Sequence, residues 1–196
     1  MGCSLAWLAV QGKSPAIIHQ QLGLSASGDF CDYGDAPVVG RQLPSGWYVI
    51  VVKGCDHKLI SDVVVQKISL ACSVIACSIE EHVMFSSAAQ WSDGQREWAI
   101  QHRGGDYGSA DLSFEGDPPP LFAELREHYG SRQNAEGGVK AEVDWIFEVP
   151  LELAKSYVGF KHDEETPGVE HGSFEILDPS RDGLVTHASK PWWRFW

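Results

Sequence analysis

Positive charge is scarce in this chain. Fifteen Lys and Arg stand against twenty-seven Asp and Glu, a net charge of −12. The deficit deepens along the chain, from nine acidic and six basic residues in 1–100 to eighteen and nine in 101–196. Such a balance repels phosphate backbones, and no local cluster of Lys and Arg offsets it, so nucleic acid is not expected as a partner. Anionic lipid is disfavoured for the same reason, and no apolar run approaches the ~20 residues needed to cross a bilayer. A basic protein, by contrast, would be drawn in by long-range attraction.

Paired cysteines are also missing. Cys3, Cys31, Cys55, Cys72 and Cys77 are odd in number and include no Cys-x-x-Cys, which argues against a disulfide framework or a structural zinc site and predicts reduced thiols in a cytoplasmic setting. The first ten residues, MGCSLAWLAV, lack the basic start of a secretion signal. Ala6 stands where a myristoylation signal needs Ser or Thr. No Gly-x-Ser-x-Gly elbow and no Gly-x-Gly-x-x-Gly fingerprint occurs, so hydrolase and dehydrogenase readings have no motif to rest on. Gly12-Lys13-Ser14 resembles the tail of a phosphate-binding loop, but the first glycine of that motif falls on Trp7. Too few free backbone amides remain to cradle phosphates, and no cofactor is expected. Internal repeats and low-complexity runs are absent too.

What is present is an ordinary globular composition, 43% hydrophobic and 21% charged, which excludes disorder and fibrous architectures. The strongest local signal is the run 83–102, VMFSSAAQWSDGQREWAIQH. Its Asp93-Gly94 dipeptide suits a two-residue type I′ turn, whose positive φ angles match the twist of two flanking strands. An uninterrupted register then sets Trp91 opposite Arg96, Ala89 opposite Trp98, Ser87 opposite Ile100 and Phe85 opposite His102. That face, with small residues against large ones, is expected in the core. The other face, His82, Met84, Ser86, Ala88 and Gln90 against Glu97, Ala99, Gln101 and Arg103, is polar or small.

Around the hairpin, residues 3–10 read as a strand covered on both faces. Ser14-Pro15 opens a short helix that Gly23 closes. Residues 25–45 read as a long loop with at most a short edge strand at Val38-Val39. A strand follows at 46–52, and 61–71 is divided between a helix capped by Ser61 and a strand favoured by three successive valines. The apolar run from Ser73 needs a turn near Glu80-Glu81 to stay within ordinary strand lengths. Further on, a weak strand is expected at 110–115, a helix from Pro120 to about Gly130, a strand at 143–149, a helix from Pro150 to Gly159 and a strand at 174–177. The expectation is one α+β domain over 1–196, with a predominantly antiparallel sheet centred on the 83–102 hairpin, three or four short helices covering it, and a loop-rich acidic part from about 159.

Function is sought on the polar hairpin face. Met84, Ser86 and Gln101 are candidate binding residues. A catalytic arrangement there would use His82 as general base, Glu80 to orient it and Arg103 to hold an anionic group, with Cys77 as nucleophile if the chain folds back at Glu80-Glu81. His162, Asp163, Glu164, Glu165, Glu170 and His171 crowd potential ligand atoms together, but their spacing fits no metal motif and no metal is expected. The terminal Trp192, Trp193 and Trp196 form a second candidate binding surface, toward another protein or a second copy in a homodimer. The expected function is a non-catalytic, acidic, intracellular protein-binding domain of the inhibitor or immunity type. The alternative is a small-molecule-binding domain or hydrolase using the hairpin face.

Overall fold

The computed structural model describes residues 2–108 and 110–180. The predicted binding residues Trp192, Trp193 and Trp196 lie outside the described residues. In chain order the elements are β1 (Ser4–Gln11), α1 (Pro15–Leu22), β2 (Leu24–Cys31), β3 (Val38–Gln42), β4 (Tyr48–Lys53), α2 (Asp62–Ile68), β5 (Ser73–Glu80), β6 (Phe85–Ser92), β7 (Gln95–Arg103), the single turn α3 (Gly104–Tyr107), β8 (Leu112–Gly116), α4 (Pro120–Ala135), α5 (Glu148–Val158) and β9 (Phe174–Pro179). The nine strands form one antiparallel sheet in the order β2-β9-β3-β4-β1-β5-β6-β7-β8. The α+β class and the antiparallel sheet are as expected. β1 holds the middle position, and the β6–β7 hairpin lies in one half.

The near-continuous apolar run of β1 has a two-sided cause. Because side chains alternate along a strand, Leu5, Trp7 and Ala9 enter a core cluster with Val149, Leu151 and Leu153 of α5 and Phe122 of α4. Ala6, Leu8 and Val10 enter another with Ile18 of α1 and Val65 and Ile68 of α2. The sheet is therefore sandwiched between helix layers around its centre, and β1, β4 and β5 have no watery face. Ser14, Pro15 and Gly23 bound α1 as expected, with Gly23 at φ 66°. Residues 61–68 resolve to helix, with Ser61 at the N-cap position and Asp62 in the first turn. A 3-10 turn (Glu81–Val83) breaks the long apolar run, and Met84 follows at φ 49°.

Four expectations need correction. Residues 24–31 form a full edge strand, β2, rather than loop; its polar side chains face water and its register slips between Ala26 and Phe30. β3 lies inside the sheet between β4 and β9, because the C-terminal strand inserts beside it. α4 passes Gly130 and ends at Ala135, for the space around Gly130 is open and Gln133, two residues before the end of the helix, binds the chain beyond. Its amide donates to Gly138 O at 2.7 Å and its Oε1 accepts the Trp145 N–H at 2.7 Å. The expected strand at 143–149 is a 3-10 turn (Trp145–Phe147) running into α5, since Ile146 and Phe147 are buried in the helix layer instead of joining the sheet. Among the described residues no helix is long and apolar enough to cross a membrane.

Candidate functional site

The hairpin turn forms where expected, with Asp93 at φ 48° and Gly94 at φ 76°. Ser92 faces Gln95 and Trp91 faces Arg96, but Gln90 then faces Trp98. Glu97 is thus an extra residue in β7. This bulge shifts every later partner by one, giving Ala89 opposite Ala99, Ser87 opposite Gln101 and Phe85 opposite Arg103. A one-residue shift exchanges the faces of one strand relative to the other. Trp98, Ile100 and His102 go to the core as expected, but their partners are Gln90, Ala88 and Ser86. Ala88 and Ser86 are small residues opposite Ile100 and His102, while Gln90 meets Trp98 through a hydrogen bond, the indole Nε1–H donating to Oε1 at 2.8 Å.

Ser86 consequently lies beneath the helix layer with no exposure, donating its hydroxyl to Phe147 O at 2.7 Å. Expected as a binding residue, Ser86 is instead covered by the helix layer and presents no surface to a ligand. His102 is equally buried, its Nε2 3.0 Å from Asp144 Oδ2 and its Nδ1 against Asp111 O. Cys77 stands in the same core cluster, where burial pushes its thiol far above the ordinary range. A nucleophile cannot act from there. Met84 is half-buried against this layer too.

The opposite face carries the remaining candidates, and the register arranges them in rows. Ser4, Glu80, Phe85 and Arg103 stand successively opposite one another on β1, β5, β6 and β7. The next row is Ser78, Ser87, Gln101 and Ser113, and the one after is Ala76, Ala89, Ala99 and Glu115. On this face α1 and α2 pack over β1, β4 and β5. Ser87, Ala89, Ala99 and Gln101 are half-buried, and Ser113 and Glu115 are exposed. The result is a shallow floor of Ser, Ala and Gln with larger groups at each end.

At one end Glu80 Oε1 lies 2.5 Å from His82 Nδ1, and its Oε2 accepts from the Cys55 thiol at 3.7 Å. Burial alone would raise the Glu80 pKa, but the Ser4 hydroxyl and His82 outweigh it and hold the carboxyl below its usual value. The expected Glu80–His82 partnership is therefore formed, with His82 exposed. Arg103 shares the row but faces Phe85 rather than Met84 and binds Asp111, Nε to Oδ2 at 3.1 Å. At the other end is a depression of about 340 Å³ lined by Asp62, Trp91, Arg96 and Glu115. Arg96 is gripped by Asp62 at 3.3 Å and Glu115 at 2.6 Å.

A second constellation escaped the sequence reading because its members are far apart in the chain. Glu81 turns away from Glu80 toward the helix-covered side, its Oε2 accepting the Cys3 N–H at 2.7 Å and its Oε1 3.3 Å from the buried His162 Nε2. The Tyr33 hydroxyl donates to His162 O. Burial first, then Glu81, Glu80 and Asp163, raise the Cys3 thiol above its ordinary value, which leaves it poorly nucleophilic. In the acidic loop the carboxylates of Asp163 and Glu164 are drawn to Lys161. Among the described residues no three His, Cys, Asp or Glu side chains converge as metal ligands.

No family model, no curated protein and no solved structure matches this chain.

Proposed function

We infer that the chain is a non-catalytic, acidic protein-binding domain of the inhibitor or immunity type, engaging a basic partner across the Ser87–Ala89–Ala99–Gln101 floor. The observation that carries this reading is the pairing of both arginines on that face. Arg96 is neutralised by Asp62 and Glu115, and Arg103 is bound by Asp111, so acidic groups set the sign of the rim within a chain of net charge −12. A flat floor of small side chains lets a partner's larger ones approach the backbone, and an acidic rim speeds encounter with a basic surface. The five free cysteines suit a reducing compartment such as the cytoplasm.

The test is capture from lysate by the immobilised chain at low and high salt, with Ala89→Arg as the comparison. A specific complex that salt weakens and Ala89→Arg abolishes, with the variant melting like the parent, is the expected result. A complex indifferent to both would refute the reading.

The 2.5 Å contact between Glu80 and His82 favours a second reading, a small-molecule site or hydrolase in which His82 is the general base. His82→Ala should then remove any detected turnover, and unchanged turnover would eliminate His82 from that role.

A further inference from the structure

Among the described residues, the two edge strands of the sheet are unlike. In β2 the register slips between Ala26 and Phe30, Gly28 takes φ 84°, and the exposed side chains include Ser25, Ser27 and Asp29. Such irregularity and polarity are how edge strands avoid pairing with other chains. β8 is guarded less: its five residues pair with β7 without a slip, it contains neither Pro nor Lys, and it leaves the extended form only at its last residue, Gly116 at φ 76°. Both edges expose a phenylalanine, Phe30 by 61% and Phe114 by 50%, but only Phe114 sits at the centre of a regular ladder.

Two bonds at the ends of the neighbouring ladders fix which backbone groups β8 leaves free. The Asp117 N–H donates to Glu97 O at 3.2 Å, and the Gly104 N–H donates to Met84 O at 2.9 Å. Bonded and non-bonded pairs alternate along an antiparallel ladder. Ser113 and Glu115 therefore direct their backbone groups to β7, while those of Leu112, Phe114 and Gly116 point away from the sheet. The side chains of Leu112 and Phe114 stand on the α4 side, where Phe114 packs against Phe122 with ring centroids 5.2 Å apart. A groove of about 540 Å³ runs beside them, lined by Phe114, Pro118, Phe122 and Ala123, with Arg126 and Glu127 also contributing.

We propose that β8 pairs antiparallel with β8 of a second copy of this chain about a two-fold axis at Phe114, so that two sheets continue as one. Phe114 then faces its own counterpart, Leu112 faces Gly116, and Ser113 faces Glu115. Each pairing is self-complementary. Two aromatic rings share the axis, a branched side chain lies over a residue with none, and a hydroxyl donor meets a carboxylate. The six outward backbone groups of one strand meet those of the other in the same register. A five-residue edge buries little area, and two copies of like charge repel, so the association is weak and strengthened by salt. The edge shares Ser113 and Glu115 with the border of the Ser87–Ala89 floor, but its salt response is opposite to the one expected for the basic partner, so self-association strengthened by salt and capture weakened by salt report the two proposals separately.

Sedimentation of the full chain across roughly a hundredfold range of concentration, at low and high salt, tests the pairing. A concentration-dependent dimer favoured by salt is expected, and Phe114→Lys should weaken it by about tenfold or more because like charges meet on the axis. Register is read separately by oxidative cross-linking. Phe114→Cys should link to its counterpart, whereas Leu112→Cys, which faces Gly116, should not exceed the parent chain. A parent that stays monomeric throughout, a Phe114→Lys variant that dimerises like the parent, or Leu112→Cys linking as readily as Phe114→Cys would each overturn the proposal. Should Phe114→Lys fail to fold, the parent's sedimentation and the cysteine pair decide.

Discussion

Lys161→Met is the substitution whose outcome the structure most sharply constrains. The Lys161 side chain is 7% exposed, and its ammonium lies 2.8 Å from Glu148, 3.1 Å from Glu152, 3.4 Å from Asp163 and 3.2 Å from Glu164. Lys155 reaches only two of these carboxylates, Glu152 and Glu164. Methionine keeps most of the volume and removes the charge, leaving Glu148 and Glu152, about one-fifth exposed, short of their main counter-charge. Breaking a buried pair by removing one partner costs ~3–5 kcal/mol, and the low end applies because Asp163 and Glu164 are nearly half-exposed and screened. The expected loss is thus about 3 kcal/mol, read from urea unfolding followed by tryptophan fluorescence. Lys161→Met with Glu148→Gln should recover part of it.

The pH dependence follows from two opposite shifts. Burial would lower the Lys161 pKa, but bonds and charge from Glu148 and Glu152 raise it above the ordinary 10.5, so its contribution is complete below 10.5 and fades only in strong alkali. Glu164, held down chiefly by Lys155, contributes above its ordinary 4.5 and loses that contribution as pH falls through its depressed value. The gap between parent and variant should therefore be level around neutral pH and shrink in acid as pH falls through the depressed Glu164 value. A gap below ~1 kcal/mol at neutral pH would mean that water already screens the cluster, and the reasoning would fail.

Three further outcomes are expected. Ser86→Val should cost about 1–3 kcal/mol in urea unfolding by leaving Phe147 O unpaired, whereas Ser87→Val on the opposite face should cost under ~1 kcal/mol; the reverse order would restore the unbulged register. His19, bonded to the Tyr48 hydroxyl at 2.7 Å, has its pKa lowered mainly by burial, with Glu175 opposing. Its unfolded ring binds a proton first as pH drops below 6.5, so the urea midpoint should fall there, and His19→Gln should flatten that slope. Cys77 should resist thiol reagents until the chain unfolds, while Cys3, Cys31, Cys55 and Cys72, all partly accessible, react sooner; equal rates would contradict the placement of Cys77 in the core.

Much of the sheet was legible because its causes are local. Asp93-Gly94 specifies a turn by its φ tolerance, and the apolar run of β1 announces burial on both faces. The Glu97 bulge was not legible. No glycine marks it, and Ala88 offers Ile100 as small a side chain as Ser87 would, so the pattern of small against large does not announce the shift. β2 was missed because an edge strand with polar side chains carries no hydrophobic period. The Glu80–His82 contact was readable because its members stand two positions apart at a single turn, whereas Glu81 and His162 meet across 81 residues with nothing local to announce it.

The position of β9 has a consequence for how the chain reaches its native state. Leu24 pairs with Pro179 and Val39 with Ile176, so β2 and β3 remain apart until residues 174–179 have been made. During vectorial synthesis the central and distal strands can assemble first, while the outer face of β3 stands open as a temporary edge. Closing so long a loop makes this the slow, late step of folding, and the interval before it is when the nascent chain is most exposed to wrong strand pairing.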